Sequence, residues 1–205
     1  KWLEAKINQS IEWGTFEEFM SMRKDLIKQN PALEYDLGLL RRQTIRHHLQ
    51  PHIKNEIELN ALIDEAYEFF LKERHKVVFY DQVVEVLESL VSRAMLGVLT
   101  NGNANVNKLG IGHLFEFSIS SVDVKSNKPD SAHFIKAKEI SGIEFINTLH
   151  IGDHPINDVK GARDLGISTM WFNSQNLTWD VDDNPPLMFN HWSQFMNLLS
   201  LHHEQ

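Results

Sequence analysis

The stretch His150-Ile151-Gly152-Asp153-His154-Pro155-Ile156-Asn157-Asp158 decides how this chain is read. The run that enters it, Thr148-Leu149-His150-Ile151, is short and mostly apolar and stops at a glycine. That pattern predicts a buried strand running into a turn. A helix is predicted to follow, from Ile156 to Leu165. Two carboxylates, Asp153 and Asp158, therefore share one strand-to-helix loop. Paired oxygen donors there suit Mg2+, which binds through one or two carboxylates and keeps several waters. Asp158 also has an ordinary reading, as a charge that favours a helix N-terminus.

The same alternation extends outward. Strands are predicted at Met95–Leu99, Phe117–Ser120 and Ile167–Trp171, and helices at Asp81–Val91 and Ser131–Ile140. Strand and helix in turn imply parallel pairing through crossover helices, hence an α/β fold with a doubly wound parallel sheet. Ligands of such sheets lie beyond the C-terminal strand ends. One such end carries Thr100-Asn101-Gly102-Asn103, a hydroxyl followed by turn amides that can hold phosphate oxygens. A plain turn with a capping Thr or Asn would look the same. Another end leads to Lys125, Lys128 and Pro129. An ammonium there can neutralise charge on a transferring phosphoryl group, although most lysines are merely exposed.

Residues 1–76 have a different texture. Apolar residues recur at spacings of three or four through Trp2–Leu26, Leu37–Leu49 and Ile57–Phe70, interrupted at Gly14, Asn30-Pro31 and Pro51. This segment is predicted to be an all-helical unit, with the α/β core at 77–205. The chain has 205 residues, no cysteine and a formal net charge of -8. Disulfides, zinc-thiolate sites and thiol nucleophiles are excluded, and a reducing, cytoplasmic location is expected. The acidic balance argues against nucleic acid as a partner. No apolar run is long enough to span a membrane. Oligomeric state is not legible.

The runs Leu99-Thr100-Asn101-Gly102-Asn103, Asn127-Lys128-Pro129 and His150-Ile151-Gly152-Asp153 through Asp158-Val159-Lys160-Gly161-Ala162, in this order, resemble the second, third and fourth motifs of the haloacid dehalogenase superfamily. Leu165-Gly166-Ile167 to Trp171-Phe172-Asn173 is also typical, so the resemblance covers roughly residues 77–175. Residues 1–76 resemble the helical cap that this superfamily inserts after its first core motif. Among its branches the chain is most similar to phosphatases of flavin mononucleotide and flavin precursors. The resemblance implies a magnesium-dependent phosphatase acting on a small phosphate ester. Thr100, Asn101 and Gly102 would bind the phosphate. Lys128 would hold both the phosphoryl group and the nucleophile. Asp153 would coordinate Mg2+ directly, and Asp158 would support it. The acid loop favours phosphatase over dehalogenase chemistry, which is metal-free in this superfamily.

The family's first motif is an Asp-x-Asp on the first, central strand. Its first Asp forms an aspartyl phosphate that water hydrolyses, and its second is the general acid and base. Asp180-Val181-Asp182 matches the letters, but it sits among Asn184, Pro185 and Pro186 and reads as a solvated loop after the last strand. Asp36 and Asp64 fall in helical segments without a partner Asp. The chain begins with Lys1, so the nucleophile strand is expected upstream of it, and the 205 residues alone are expected to show little turnover. A non-catalytic phosphate-binding module is the alternative function. A receiver-like sheet is disfavoured by the large helical segment and the Gly-Asp-x4-Asp loop. In the helical unit, Arg41, Arg42, Arg46, His47 and His48 form either a solvated face or contacts to a substrate's organic part, and Trp2 and Trp13 are candidates for holding a flat ligand. The ending Leu201–Gln205 reads as a frayed helix.

Overall fold

The computed structural model describes residues 1–202, with side chains through Ser200. The predicted fraying of Leu201–Gln205 falls largely outside them. The chain divides into two compact units, residues 1–76 with 102–104, and residues 77–101 with 105–205.

The first unit is helical: α1 (Trp2–Ile7), α2 (Phe16–Gln29), α3 (Leu37–Leu49) and α4 (Glu56–Arg74). Each longer helix begins where a side chain satisfies its orphan amides. Thr15 and Glu18 form a reciprocal box at α2, with Glu18 N–H donating to Thr15 Oγ1 at 3.2 Å and Thr15 N–H to Glu18 Oε2 at 2.7 Å. Asp36 caps α3 by accepting from Leu39 N–H at 2.8 Å. Asn55 caps α4 by accepting from the N–H groups of Ile57 and Glu58. Asp36 and Asp64 are structural here, the second pairing with Arg42. Ile45, Leu49, Leu59, Ile63 and Ala66 from the facing stripes of α3 and α4 form the core, with Ile11 and Ile53 from loops.

The second unit is α/β. In chain order it holds α5 (Val83–Leu90), β1 (Gly97–Thr100), β2 (Phe117–Ser120), α6 (Ser121–Val124), α7 (Ala132–Ser141), β3 (Leu149–Gly152), α8 (Gly161–Arg163), β4 (Ser168–Phe172), β5 (Leu187–Phe189) and α9 (Phe195–His202). All strand pairs among the described residues are parallel. β1 lies beside β2 with Gly97 opposite Phe117, and β4 lies between β3 and β5, with Leu149 opposite Ser168 and Met170 opposite Leu187. Thr169, Met170, Trp171 and Phe172 of β4 are buried, as a strand covered on both faces must be. Among the described residues the strands form two sheets, β1-β2 and β3-β4-β5, in which β1, β2, β3 and β5 each have one unpaired edge.

Two expectations are corrected. The segment 180–182 does not follow the last strand; it lies in the loop between β4 and β5. Residues 156–165 are not one regular helix. Pro155–Lys160 is a π-helical turn that precedes α8. His154 O accepts from Asp158 N–H at 3.0 Å and from Val159 N–H at 3.3 Å, so the turn widens where the Asp158 side chain is drawn inward.

Candidate active site

The strand ends of the α/β unit bring Asn101, Lys128 and Asp158 into one network, with Thr100 next to Asn101 at the end of β1 and Asp153 just beyond β3. Its centre is the Lys128 ammonium, only 7% exposed. It donates to Asp158 Oδ1 at 2.6 Å and to Leu99 O at 2.7 Å. An ammonium has three N–H donors. The third has no partner among the described residues.

Asn101 holds the lysine's backbone in place. Its Oδ1 accepts from Lys128 N–H at 2.7 Å, and its Nδ2 donates to Lys128 O at 2.8 Å. This two-bond clip ties the end of β1 to the Lys128-Pro129 loop, whose peptide bond is cis. On the other side, the loop is pressed by the start of α8. A Cβ on Gly161 would lie 3.1 Å from Pro129 Cα, so a larger residue there would push the loop away. The Asn101 side chain is thus committed to positioning Lys128, while the phosphate contact expected of this residue concerns its backbone. Gly102 groups with the helical unit.

The two acids differ sharply. Asp158 is 6% exposed. Its Oδ1 accepts from Lys128 and lies 3.3 Å from His150 Nε2, while its Oδ2 accepts from His154 N–H at 3.0 Å. Burial alone would raise its pKa. The His150 hydrogen bond and the Lys128 charge more than offset that and hold it well below the usual carboxylate range. Its close approach needs Gly152, where an added Cβ would sit 2.3 Å from Asp158 Cβ. Asp153, by contrast, is exposed, and its carboxylate has no partner among the described residues. Its backbone is anchored, because Trp171 Nε1 donates to Asp153 O at 2.9 Å.

Those contacts decide how Mg2+ would fit. Asp153 presents an open oxygen donor, whereas both Asp158 oxygens are already engaged by protein donors. No group of three His, Cys, Asp or Glu side chains suited to a metal occurs among the described residues. The two acids thus offer one open ligand and one support, to be completed by waters and further oxygen ligands.

Two histidines had no role in the sequence reading. His150 contacts Asp158 as described. His133, fully buried on α7, places Nε2 3.2 Å from Thr100 O. A carbonyl oxygen only accepts, so Nε2 carries the proton. Burial lowers the His133 pKa, which keeps the ring neutral in this role. The available signal was its place five residues after Lys128, beside the apolar Phe134. In the helical unit, Arg42 pairs with Asp64, and Arg46 pairs with Glu56 and Asn60, so both belong to the solvated face. Trp2 stacks on Phe69 at 4.9 Å.

The chain thus combines a parallel α/β core, with a lysine, two acids and a hydroxyl-bearing turn at its strand ends, with a separate helical unit. Residues 20–172 match the haloacid dehalogenase-like hydrolase family, and the chain belongs to it. A crystal structure of 2-haloacid dehalogenase from Pseudomonas syringae pv. Tomato superposes with a TM-score of 0.86 at 31% identity, covering 98% of this chain and 90% of that one. A curated relative is the 5-amino-6-(5-phospho-D-ribitylamino)uracil phosphatase YigB of Escherichia coli, 26% identical over 89% of this chain and 79% of its own length. Another is the phosphoserine phosphatase of Thermus thermophilus, 29% identical over 60% of this chain, which spans 52% of that protein. No helix among the described residues is long and apolar enough to cross a membrane.

Proposed function

We propose that the protein is a magnesium-dependent phosphatase that hydrolyses a small phosphorylated metabolite through an aspartyl-phosphate intermediate. The division of labour between the two acids carries this reading. Asp158 is buried and spent on orienting Lys128, while Asp153 stands open at the end of β3 as a metal ligand. Mg2+ bound there would neutralise charge on the phosphate oxygens. Thr100 and the Asn101 backbone would contact the phosphate. The remaining Lys128 N–H would point to the phosphoryl group and the attacking carboxylate, held by Leu99 O, Asp158 and the Asn101 clip. The nucleophile and the general acid would come from an Asp-x-Asp strand upstream of Lys1. The described strands fall into two separate parallel sheets, and one further parallel strand paired with β1 and β3 would join them, which is compatible with that placement. The likeness to the YigB phosphatase supports a phosphorylated flavin precursor or similar heterocycle as substrate.

The 31% identity to a 2-haloacid dehalogenase favours one rival reading, carbon–halogen hydrolysis. The full encoded protein would be assayed in parallel for phosphate release from a panel of small phosphomonoesters and for chloride release from 2-chloropropionate, each with Mg2+ and with chelator. Phosphate release abolished by chelator is expected. Chloride release insensitive to chelator, without phosphate release, would overturn the phosphatase reading.

A further inference from the structure

The helical unit contains a cavity of about 420 Å³ whose lining belongs entirely to that unit. Its walls are aromatic: Trp2, Trp13, Phe19 and Phe70, with Phe69 stacked on Trp2. Two guanidinium groups, those of Arg23 from α2 and Arg41 from α3, share the lining with Lys1 and with the smaller side chains Leu3, Thr44, Ile45 and Ala66. Arg41 lies 3.5 Å from the centroid of the Phe70 ring, and Arg23 lies 5.7 Å from that of Phe19.

The charge balance of this cavity is unusual. The chain has 28 acidic and 20 basic residues, so carboxylate partners are abundant. Arg42 and Arg46, next along α3, both have one. Among the described residues Arg23 and Arg41 have none and make no hydrogen bond. Burial lowers the Arg41 pKa, and the neighbouring positive charges of Arg23 and Arg74 lower it further. A guanidinium stays protonated under such perturbation, so the site carries uncompensated positive charge against low-dielectric walls. Its missing complement is an oxyanion, for which the planar, five-donor guanidinium is the best-matched side chain. The rings add a second requirement. Trp13 is 37% exposed and Phe69 39% exposed, leaving aromatic surface uncovered beside the two arginines. A flat ring would cover that surface by stacking. The volume falls within the range of small-molecule sites.

We propose that this cavity is a binding site for a planar aromatic ligand bearing an oxyanion, with Arg23 and Arg41 taking the anion and Trp13 and Phe19 taking the ring. The proposal does not rest on the phosphatase reading, and its test involves no turnover. The probe is 1-naphthoate, titrated calorimetrically into the full encoded protein. Uncharged 1-naphthalenemethanol and non-planar cyclohexanecarboxylate serve as comparisons. Saturable naphthoate binding is expected, with each comparison at least about tenfold weaker, about 1.4 kcal/mol. Arg41→Gln and Arg23→Gln should each weaken naphthoate by roughly tenfold and leave naphthalenemethanol unchanged. Trp13→Ala should weaken both aromatic probes, with helix content by circular dichroism confirming that each variant folds. Absence of saturable binding overturns the site. Equal affinity for naphthoate and naphthalenemethanol, or naphthoate binding unaffected by both arginine variants, overturns the role of the guanidiniums.

Discussion

Replacing Asp158 by asparagine tests the network at its centre. The substitution keeps the shape but removes the charge that faces Lys128 at 2.6 Å, in a place where the two side chains are only 7% and 9% exposed. One asparagine carbonyl oxygen cannot replace two carboxylate oxygens that serve Lys128, His150 and His154 N–H. Lys128 would keep Leu99 O but lose its counter-charge. Leaving a buried charge unpaired costs about 3–5 kcal/mol. For a chain of this size each kcal/mol moves the melting temperature by roughly 2–4 °C, so a fall of roughly 6–20 °C is expected. The assay is urea unfolding at 25 °C, with thermal melts alongside. The double variant Lys128→Met/Asp158→Leu supplies the control, because replacing both charges by apolar side chains should recover most of the loss. A loss below about 1 kcal/mol for Asp158→Asn, at unchanged denaturant slope, would refute the reasoning. It would mean that water reaches Lys128 in solution.

Further expectations follow from the same geometry. Because the Asp158 pKa is depressed in the folded state, its contribution is complete above the ordinary carboxylate value of about 3.9 and is lost as pH falls from there through the depressed value. The stability difference between wild type and Asp158→Asn should therefore be flat from about pH 7 to 5 and shrink only below about pH 4; shrinkage at higher pH would contradict the assignment. Asn101→Leu removes both bonds that hold the Lys128 backbone and should cost about 1–3 kcal/mol or more in urea unfolding, whereas a surface asparagine would cost almost nothing. His133→Phe keeps the ring but removes the donor to Thr100 O; stability should change by about 1 kcal/mol or less, while KM for a phosphate ester rises. An unchanged KM would assign His133 to packing alone.

The strands were legible where short apolar runs ended at glycine or a polar turn. The run 117–120 occupies the residues expected for it. β5 was missed because Leu187-Met188-Phe189 is too short to show a period. It becomes a strand only by pairing with β4, opposite Met170, Trp171 and Phe172. The π-helical turn at 155–160 was hidden for a similar reason. It coincides with the inward-turned Asp158 side chain, whose partner Lys128 lies 30 residues earlier in the chain. Residue type at the strand ends pointed to phosphate chemistry, and Lys128 and Asp158 do meet. What the letters could not carry was burial. Most lysines are solvated, and nothing local marks Lys128 as enclosed or Asn101 as its clip, since that partner lies 27 residues away. The difference between Asp153 and Asp158 was likewise invisible, because two acids in one loop look equivalent until their surroundings are known.

That difference also gives the most direct test of the proposed chemistry. Asp153 is exposed and unpartnered among the described residues, so Asp153→Ala should change stability by no more than about 0.5 kcal/mol. If its carboxylate holds Mg2+, the same substitution should lower magnesium-dependent phosphate release by the full encoded protein at least about a hundredfold, since even outer partners of a metal cost 10–100-fold. The measurement is a magnesium titration of phosphate release for wild type and Asp153→Ala. The account predicts saturable activation of wild type and near-complete loss in the variant at unchanged stability. Equal activity in the two proteins, or wild-type activity that persists in chelator, would contradict it.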